Sequence, residues 1–413
     1  MRKYAKDKRP TVKPVIKAEL SGKNKKWRIA AVVLLLILGA SLVAFSVARF
    51  LGREKGYTEI SPEDSVFSEF FTFRYDIGAS GASASAEHRR VREVYTEALN
   101  KYCRLFSSDI LYAGVFNIAY INAHAGEDIT VDEALYSALS KMESEGDGQH
   151  YLGISLEIYD AVFSSSEDGY AILQDPVKNE EMKGINQRAC EAARDRSAVK
   201  LALLGDNTVR LEVGAEYSEF ASEYGLSRYI DLGIFENAFI TDAIADALIS
   251  EGMTLGAVSS YDGYARNLDV RDMDYSFSFY AKSGDAVYPV CDVGYSGGVA
   301  TYTARTYPTG EVDALDFYLY SDGVSAHRFI DSATGEYKST LPELLVASAD
   351  KKCSDLAFEA YRLLVSDSYD ASSVSGISAV WLDGNVVRHV GNDVSLSDPF
   401  RDEKIEFVIE NAN

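Results

Sequence analysis

The chain has 413 residues, 47% of them hydrophobic and 25% charged. That supports a sizeable core and excludes general disorder, collagen-like repeats and a disulfide miniprotein. The formal net charge of −22, from 41 Lys+Arg against 63 Asp+Glu, argues against a nucleic-acid partner, which needs clustered cations.

The charge is uneven along the chain. Residues 1–28 hold eleven Lys/Arg and two acids and read as a basic tail. Ile29 to Ala48 then runs 20 residues without a charge, and at about 1.5 Å per residue spans the roughly 30 Å core of a bilayer. The basic lead predicts a single-pass signal anchor in the cell membrane, N-terminus cytoplasmic and acidic body outside. A cleaved signal peptide ending at Ser46-Val47-Ala48 is the competing reading, but the apolar run exceeds the typical signal length of about 7–15 residues.

Residues 49–69 are polar and acidic and read as a stalk. Phe70-Phe71-Thr72-Phe73 opens the first strand, and the small residues 78–85 form a loop. Over 86–106, Val91, Val94, Tyr95, Ala98, Tyr102, Leu105 and Phe106 recur at helical steps. Thr130 with Glu133 has the spacing of a capping box before ALYSALSKM. Residues 180–204 read as helix, followed by alternating Val209, Leu211 and Val213. Another helix covers 242–250, closed by Gly252. From 256 to 328 the chain is strand-rich, 355–366 returns to helix, and 377–390 forms a hairpin turning at Asp383-Gly384. The class is α+β, with mixed sheets and packed helices over 70–395 and a C-terminal tail over 396–413. Four separated cysteines, Cys103, Cys190, Cys291 and Cys353, lack zinc spacing and read as buried small hydrophobes.

Four segments in this order resemble the FAD:protein FMN transferase (ApbE) family. They are Leu105-Phe106-Ser107 with Asn117 and Ile121-Asn122; Ile230-Asp231-Leu232-Gly233 running to Asp242; Ile330-Asp331-Ser332-Ala333-Thr334-Gly335; and Ser354-Asp355-Leu356-Ala357-Phe358-Glu359-Ala360. The resemblance implies an ApbE-like fold outside the membrane. It also implies FAD as substrate, with Mg²⁺ on its diphosphate and FMN transferred to a Ser/Thr of a partner protein. Such a partner would be a flavin acceptor or a membrane electron-transfer protein.

By the same resemblance, Asp355, Glu359 and the Glu236 carbonyl would hold the metal. Asp231, Gly233, Asn237, Gly263 and Thr334 would meet the flavin nucleotide. The family's catalytic histidine aligns with Arg328, next to His327. Arginine cannot act as a base, and His327 would point to the opposite face of a strand. Asn237 and Glu236 stand where the family has a lysine and a small residue, and both exchanges oppose anion binding. Tyr112, Tyr159, Tyr261 and Tyr264 lie near the family's binding segments and could stack on a ring. Three readings stay open: a divergent transferase, an inactive homologue binding flavin or scaffolding an electron-transfer complex, or a plain cell-surface structural domain with neither flavin nor partner.

Overall fold

The computed structural model describes residues 56–81, 83–271, 273–283, 286–309, 315–369, 376–400 and 405–411. The basic tail and the apolar run 29–48 lie outside the described residues. Among the described residues no helix is long and apolar enough to cross a membrane.

Phe71, Phe73, Tyr75 and Ile77 alternate with more polar neighbours, and the strand Phe71–Ile77 buries those four side chains, as a half-buried strand requires. The helix Ala84–Phe106 packs on it, and Tyr95 of that helix donates to the Phe71 carbonyl at 3.0 Å. Among the described residues this strand belongs to a nine-stranded sheet. In spatial order the strands are Gly56–Glu59, Phe71–Ile77, Gly256–Ser260, Tyr264–Asn267, Ala300–Arg305, Glu343–Ser348, Ser378–Asp383, Val386–Val390 and Val408–Asn411. Pairings are antiparallel until the last, Val386–Val390 with Val408–Asn411, which is parallel. The expected mixed sheet of an α+β fold is therefore present.

Two cores lie on the two faces of this sheet. The strand Glu343–Ser348 shows why: Leu344 and Val346 enter one core, Leu345 and Ala347 the other. A strand covered on both faces reads as an unbroken apolar run. The larger core receives the helices Ala84–Phe106, Glu236–Ser250 and Cys353–Val365, with Phe235 stacked on Phe358 at 4.7 Å. The smaller lies under the hairpin Asp274–Ser283/Ala286–Ser296, whose Phe279, Val290, Cys291 and Val293 fill it. All four cysteines are free and buried, matching the sequence expectation.

Several boundaries differ from expectation. The stalk expected over 49–69 is sheet at Gly56–Glu59, and Ile60 is buried. The tail expected over 396–413 pairs through Ser395–Leu396 and Val408–Asn411 and buries Phe407. The helix read over 180–204 stops at Arg194, and Val199–Gly205 pairs with Thr208–Val213. Asp195 makes the break, accepting from the Ser197 N–H at 2.8 Å and its hydroxyl at 2.7 Å, a local turn that competes with helix. Asp132, not Thr130, caps the helix Glu133–Glu145 by accepting from the Ala134 N–H. The helix expected from 242 starts at Glu236, after a 3₁₀ turn at Gly233–Phe235.

Candidate functional site: an arginine–carboxylate cleft

A cleft of about 690 Å³ lies among the end of the helix Ala84–Phe106, the helix Gly153–Phe163, the 228–237 turn, the strand Ala300–Arg305 and residues 315–317 and 328–329. Its size is that of a small-molecule site. Two buried asparagines build its walls. Asn117 donates to the carbonyls of Arg104 at 3.0 Å and Ile110 at 2.7 Å, folding the 107–112 loop back over the helix end. Asn122 donates to the Ile230 carbonyl at 2.8 Å and accepts its N–H at 3.0 Å, so one side chain clamps the 228–231 segment. The Asn117 and Asn122 motif positions thus serve the cleft by shaping backbone.

The charged lining forms one network. Arg228 pairs with Asp109, with Asp160 at 2.6 Å and with Asp231 at 2.9 Å. Asp231 also accepts from the Ser108 hydroxyl at 2.8 Å and the Gly233 N–H at 2.6 Å. Arg328 pairs with Asp160 at 2.8 Å and with Asp316, which accepts from the Tyr261 hydroxyl. Counting Glu236, Asp262 and Arg305, the lining holds six carboxylates and three guanidinium groups.

Three of those carboxyls are displaced from ordinary behaviour, and burial raises Asp109 against the pull of Arg228. Burial, followed by the charge of Asp316, pushes Asp262 up to about 7, although the Ser260 hydroxyl and the Asn237 amide both bond to it. Burial, then Asp231 and Asp109, pushes Glu236 well above the usual carboxylate range against the opposing Arg328 and Arg228. Rings complete the lining: Phe70 meets Tyr261 at 5.5 Å, Tyr302 stacks on Tyr264 at 3.9 Å, and Arg328 lies 5.2 Å over Phe163.

Of the predicted site residues, the structure brings Asp231, Gly233, Glu236, Asn237 and Arg328 to the cleft. Gly263 sits behind it in the turn between two strands, with φ +106, where a Cβ would meet the Thr303 carbonyl at 2.3 Å. Thr334 is exposed away from the cleft and accepts from the Glu336 N–H at 3.2 Å. In that turn Gly335 carries the packing: its carbonyl accepts from Tyr159 at 2.8 Å and Asn186 at 2.6 Å. His327 is turned away and buried against Phe329 and Tyr337. Burial lowers its pKa to about 3, so it is neutral and does not face the cleft as a base.

The three expected metal ligands are not gathered. Asp355 lies 2.6 Å from the Lys141 ammonium and accepts from the Lys352 N–H at 2.8 Å. Glu359 lies 3.0 Å from the Lys351 ammonium, and neither carboxylate lines the cleft with Glu236. Among the described residues no group of three His, Cys, Asp or Glu side chains is placed to hold a metal ion. This chain's residues therefore do not fit Mg²⁺ in the expected way, because ammonium groups occupy the two carboxylates. Asp242 is structural too, accepting the N–H groups of Cys353 at 3.0 Å and Ser354 at 2.9 Å at the start of the last helix.

Of the four tyrosines near the expected binding segments, Tyr112 and Tyr261 line the cleft. Tyr159 and Tyr264 are buried, and Tyr264 donates to the Ile234 carbonyl. Sequence reasoning missed Arg228, Arg305, Asp109, Asp160 and Asp316. The nearest available signals were Arg228 three residues before Asp231 and Asp109 just after the Leu105-Phe106-Ser107 motif.

The architecture is that of the ApbE flavin transferases. An ApbE protein of Thermotoga maritima matches with a TM-score of 0.53 and 17% identity, over 83% of this chain and 97% of that one. A histidine-to-glycine variant of the flavin transferase ApbE from Vibrio cholerae matches with a TM-score of 0.53 and 13% identity, over 82% and 97%. At such identities the likeness establishes the fold. No protein-family model and no curated protein matches the sequence.

Proposed function

We propose that the body is a flavin-binding protein of the ApbE fold that holds its ligand without transferring it. One observation carries this reading: Arg328, aligned with the family's catalytic base, is locked between Asp160 and Asp316. A guanidinium so held neither accepts a proton nor swings free to do other work. The cleft volume, its ring-rich wall and the fold support a flavin as the occupant. Bound flavin would supply redox or recognition chemistry to a partner protein of membrane electron transfer.

A second reading is transfer of FMN from FAD to a Ser/Thr of a partner, favoured by Asp262. A cleft carboxyl titrating at about 7 is suited to take a hydroxyl proton near neutral pH. Incubation of the full chain with FAD, Mg²⁺ and a flavin-acceptor domain separates the two. The expected result is quenching of flavin fluorescence with no covalent flavin on the acceptor. A covalent fluorescent band that disappears in Asp262→Asn would establish the second reading instead.

Anchorage through 29–48 belongs to the same proposal, supported by its uncharged length and basic lead. Alkaline extraction should leave the chain with membranes, and external protease should remove the body. A chain released by extraction or protected from protease contradicts it.

A further inference from the structure

We infer that Asp262 and Asn237 are the specificity-determining pair of the cleft, and that they read the imide edge of a flavin ring, where one N–H lies between two carbonyls. The inference deepens the flavin-binding reading and rests on it. Both side chains line the cleft. They are bonded to each other, the Asn237 amide donating to the Asp262 carboxyl, which also accepts from the Ser260 hydroxyl. The charged group that bears most on Asp262 is another acid, Asp316, itself paired with Arg328. The other titratable groups around Asp262 are Tyr261, Tyr264 and Tyr302, and burial keeps all three phenols neutral. Glu236 belongs elsewhere: the charges acting on it are Asp231, Asp109, Arg328 and Arg228.

Burial and Asp316 both oppose ionisation of Asp262, so below pH of about 7 it is a carboxylic acid. Unlike a carboxylate, the acid has an O–H to donate. The Asn237 amide gives an N–H to Asp262 and keeps its carbonyl oxygen as an acceptor. The pair therefore combines one donor with one neighbouring acceptor.

A flavin's imide edge carries the complement, a carbonyl that accepts beside an N–H that donates. A second carbonyl flanks that N–H, so the match holds whichever way the ring is turned over. Asn237 stands where the family resemblance places a lysine. A lysine ammonium only donates, so the exchange to an amide is what adds the acceptor. The ring has apolar surface to lie on: Phe70 and Tyr261, 5.5 Å apart, line the cleft with Phe67 and Phe71.

Titration of the full-length chain at pH 6 with riboflavin, and with riboflavin methylated at the imide nitrogen, tests this by flavin fluorescence. The methyl group removes the one N–H of the edge and leaves the charge and the ribityl chain unchanged. It should weaken binding about tenfold, the usual cost of leaving a polar group of the site unmatched. Between pH 6 and pH 8 riboflavin affinity should fall by about tenfold as Asp262 gives up its proton. In Asp262→Asn that fall should disappear, so that at pH 8 the variant binds riboflavin more tightly than the unaltered chain. Asn237→Lys should erase the preference for riboflavin over its methylated form, with thermal melting confirming that the variant folds. Equal affinity for the two flavins, or riboflavin binding that does not change between pH 6 and pH 8, overturns the inference and leaves flavin binding standing. No quenching of riboflavin at either pH removes the flavin-binding reading itself, and this inference with it.

Discussion

The cleft and the start of the helix Cys353–Val365 both gather carboxylates, and they treat them in opposite ways. At the helix, Asp355 has Lys141, Glu359 has Lys351, and Asp246 is shared by Lys352 and Arg266. In the cleft Asp109, Asp160, Asp231 and Asp316 share two arginines, Arg228 and Arg328, and burial pushes the carboxyls of Glu236 and Asp262 up. The cleft thus meets its acids by sharing guanidinium groups and by burial that disfavours ionisation, whereas the helix start meets them with lysines. Where the family resemblance led one to expect a bound cation there are lysines, and where it led one to expect a lysine there is Asn237, beside the acid Glu236.

The sharpest way to break this comparison is Arg228→Ala. Removing it leaves Asp231, 4% exposed, and Asp160 without their shared cation. The expected loss is about 3–5 kcal/mol, as for a buried pair losing one partner, measured as a lower urea midpoint. Arg228→Lys should restore only part, since an ammonium keeps the charge but lacks the planar fork of donors that a guanidinium spreads over several carboxylates. A loss below about 1 kcal/mol, the range of surface pairs, would erase the distinction between the regions.

Acidity sharpens it next. The folded carboxyl of Asp262 titrates at about 7, above its ordinary 3.8, so the folded state holds the proton more tightly than the unfolded chain. Its contribution to stability is present below the ordinary value and declines as pH rises towards 7, by up to about 1.4 kcal/mol per unit for one group. Asp262→Asn should remove that decline, and identical pH profiles for the two proteins would contradict it. Asp355 has the opposite sign. Burial works against its ionisation, but bonds from Lys141 and the Lys352 N–H hold it below the ordinary value, so its contribution is lost as pH falls.

Asp242→Ala should cost about 1–2 kcal/mol, the usual worth of a helix N-cap, because Cys353 and Ser354 lose their acceptor. The smallest effect belongs to Lys141→Ala, under about 1 kcal/mol, for a pair whose side chains are 24% and 30% exposed. A larger loss there than in Asp242→Ala would mean that the lysine supports more than its ion pair.

What could be read from the sequence was mostly local. The alternation of Phe71–Ile77 and the helical recurrence of Val91, Tyr95 and Phe106 are set by burial on one face, which leaves a period in the chain. Residues 195–198 were misread because helix-favouring neighbours outweighed one turn-forming aspartate, and because strand pairing of Val199–Gly205 is decided at a distance. The cleft was half legible. Asp231, Gly233 and Asn237 lie in a contiguous motif, whereas Arg228, Asp109, Asp160 and Asp316 act together only after four separate segments meet. Asp355 and Glu359 share a helix face as expected, but Lys141, which answers one of them, comes from another helix.

The central strand Glu343–Ser348 lends side chains to both cores, and the buried thiols are distributed to witness it. Cys291 sits in the smaller core, Cys190 and Cys353 in the larger. An alkylating reagent can reach them only when the surrounding layer opens, so the rate at which each is modified is a clock for its own layer. If the shared strand welds the layers into one cooperative unit, the clocks run together.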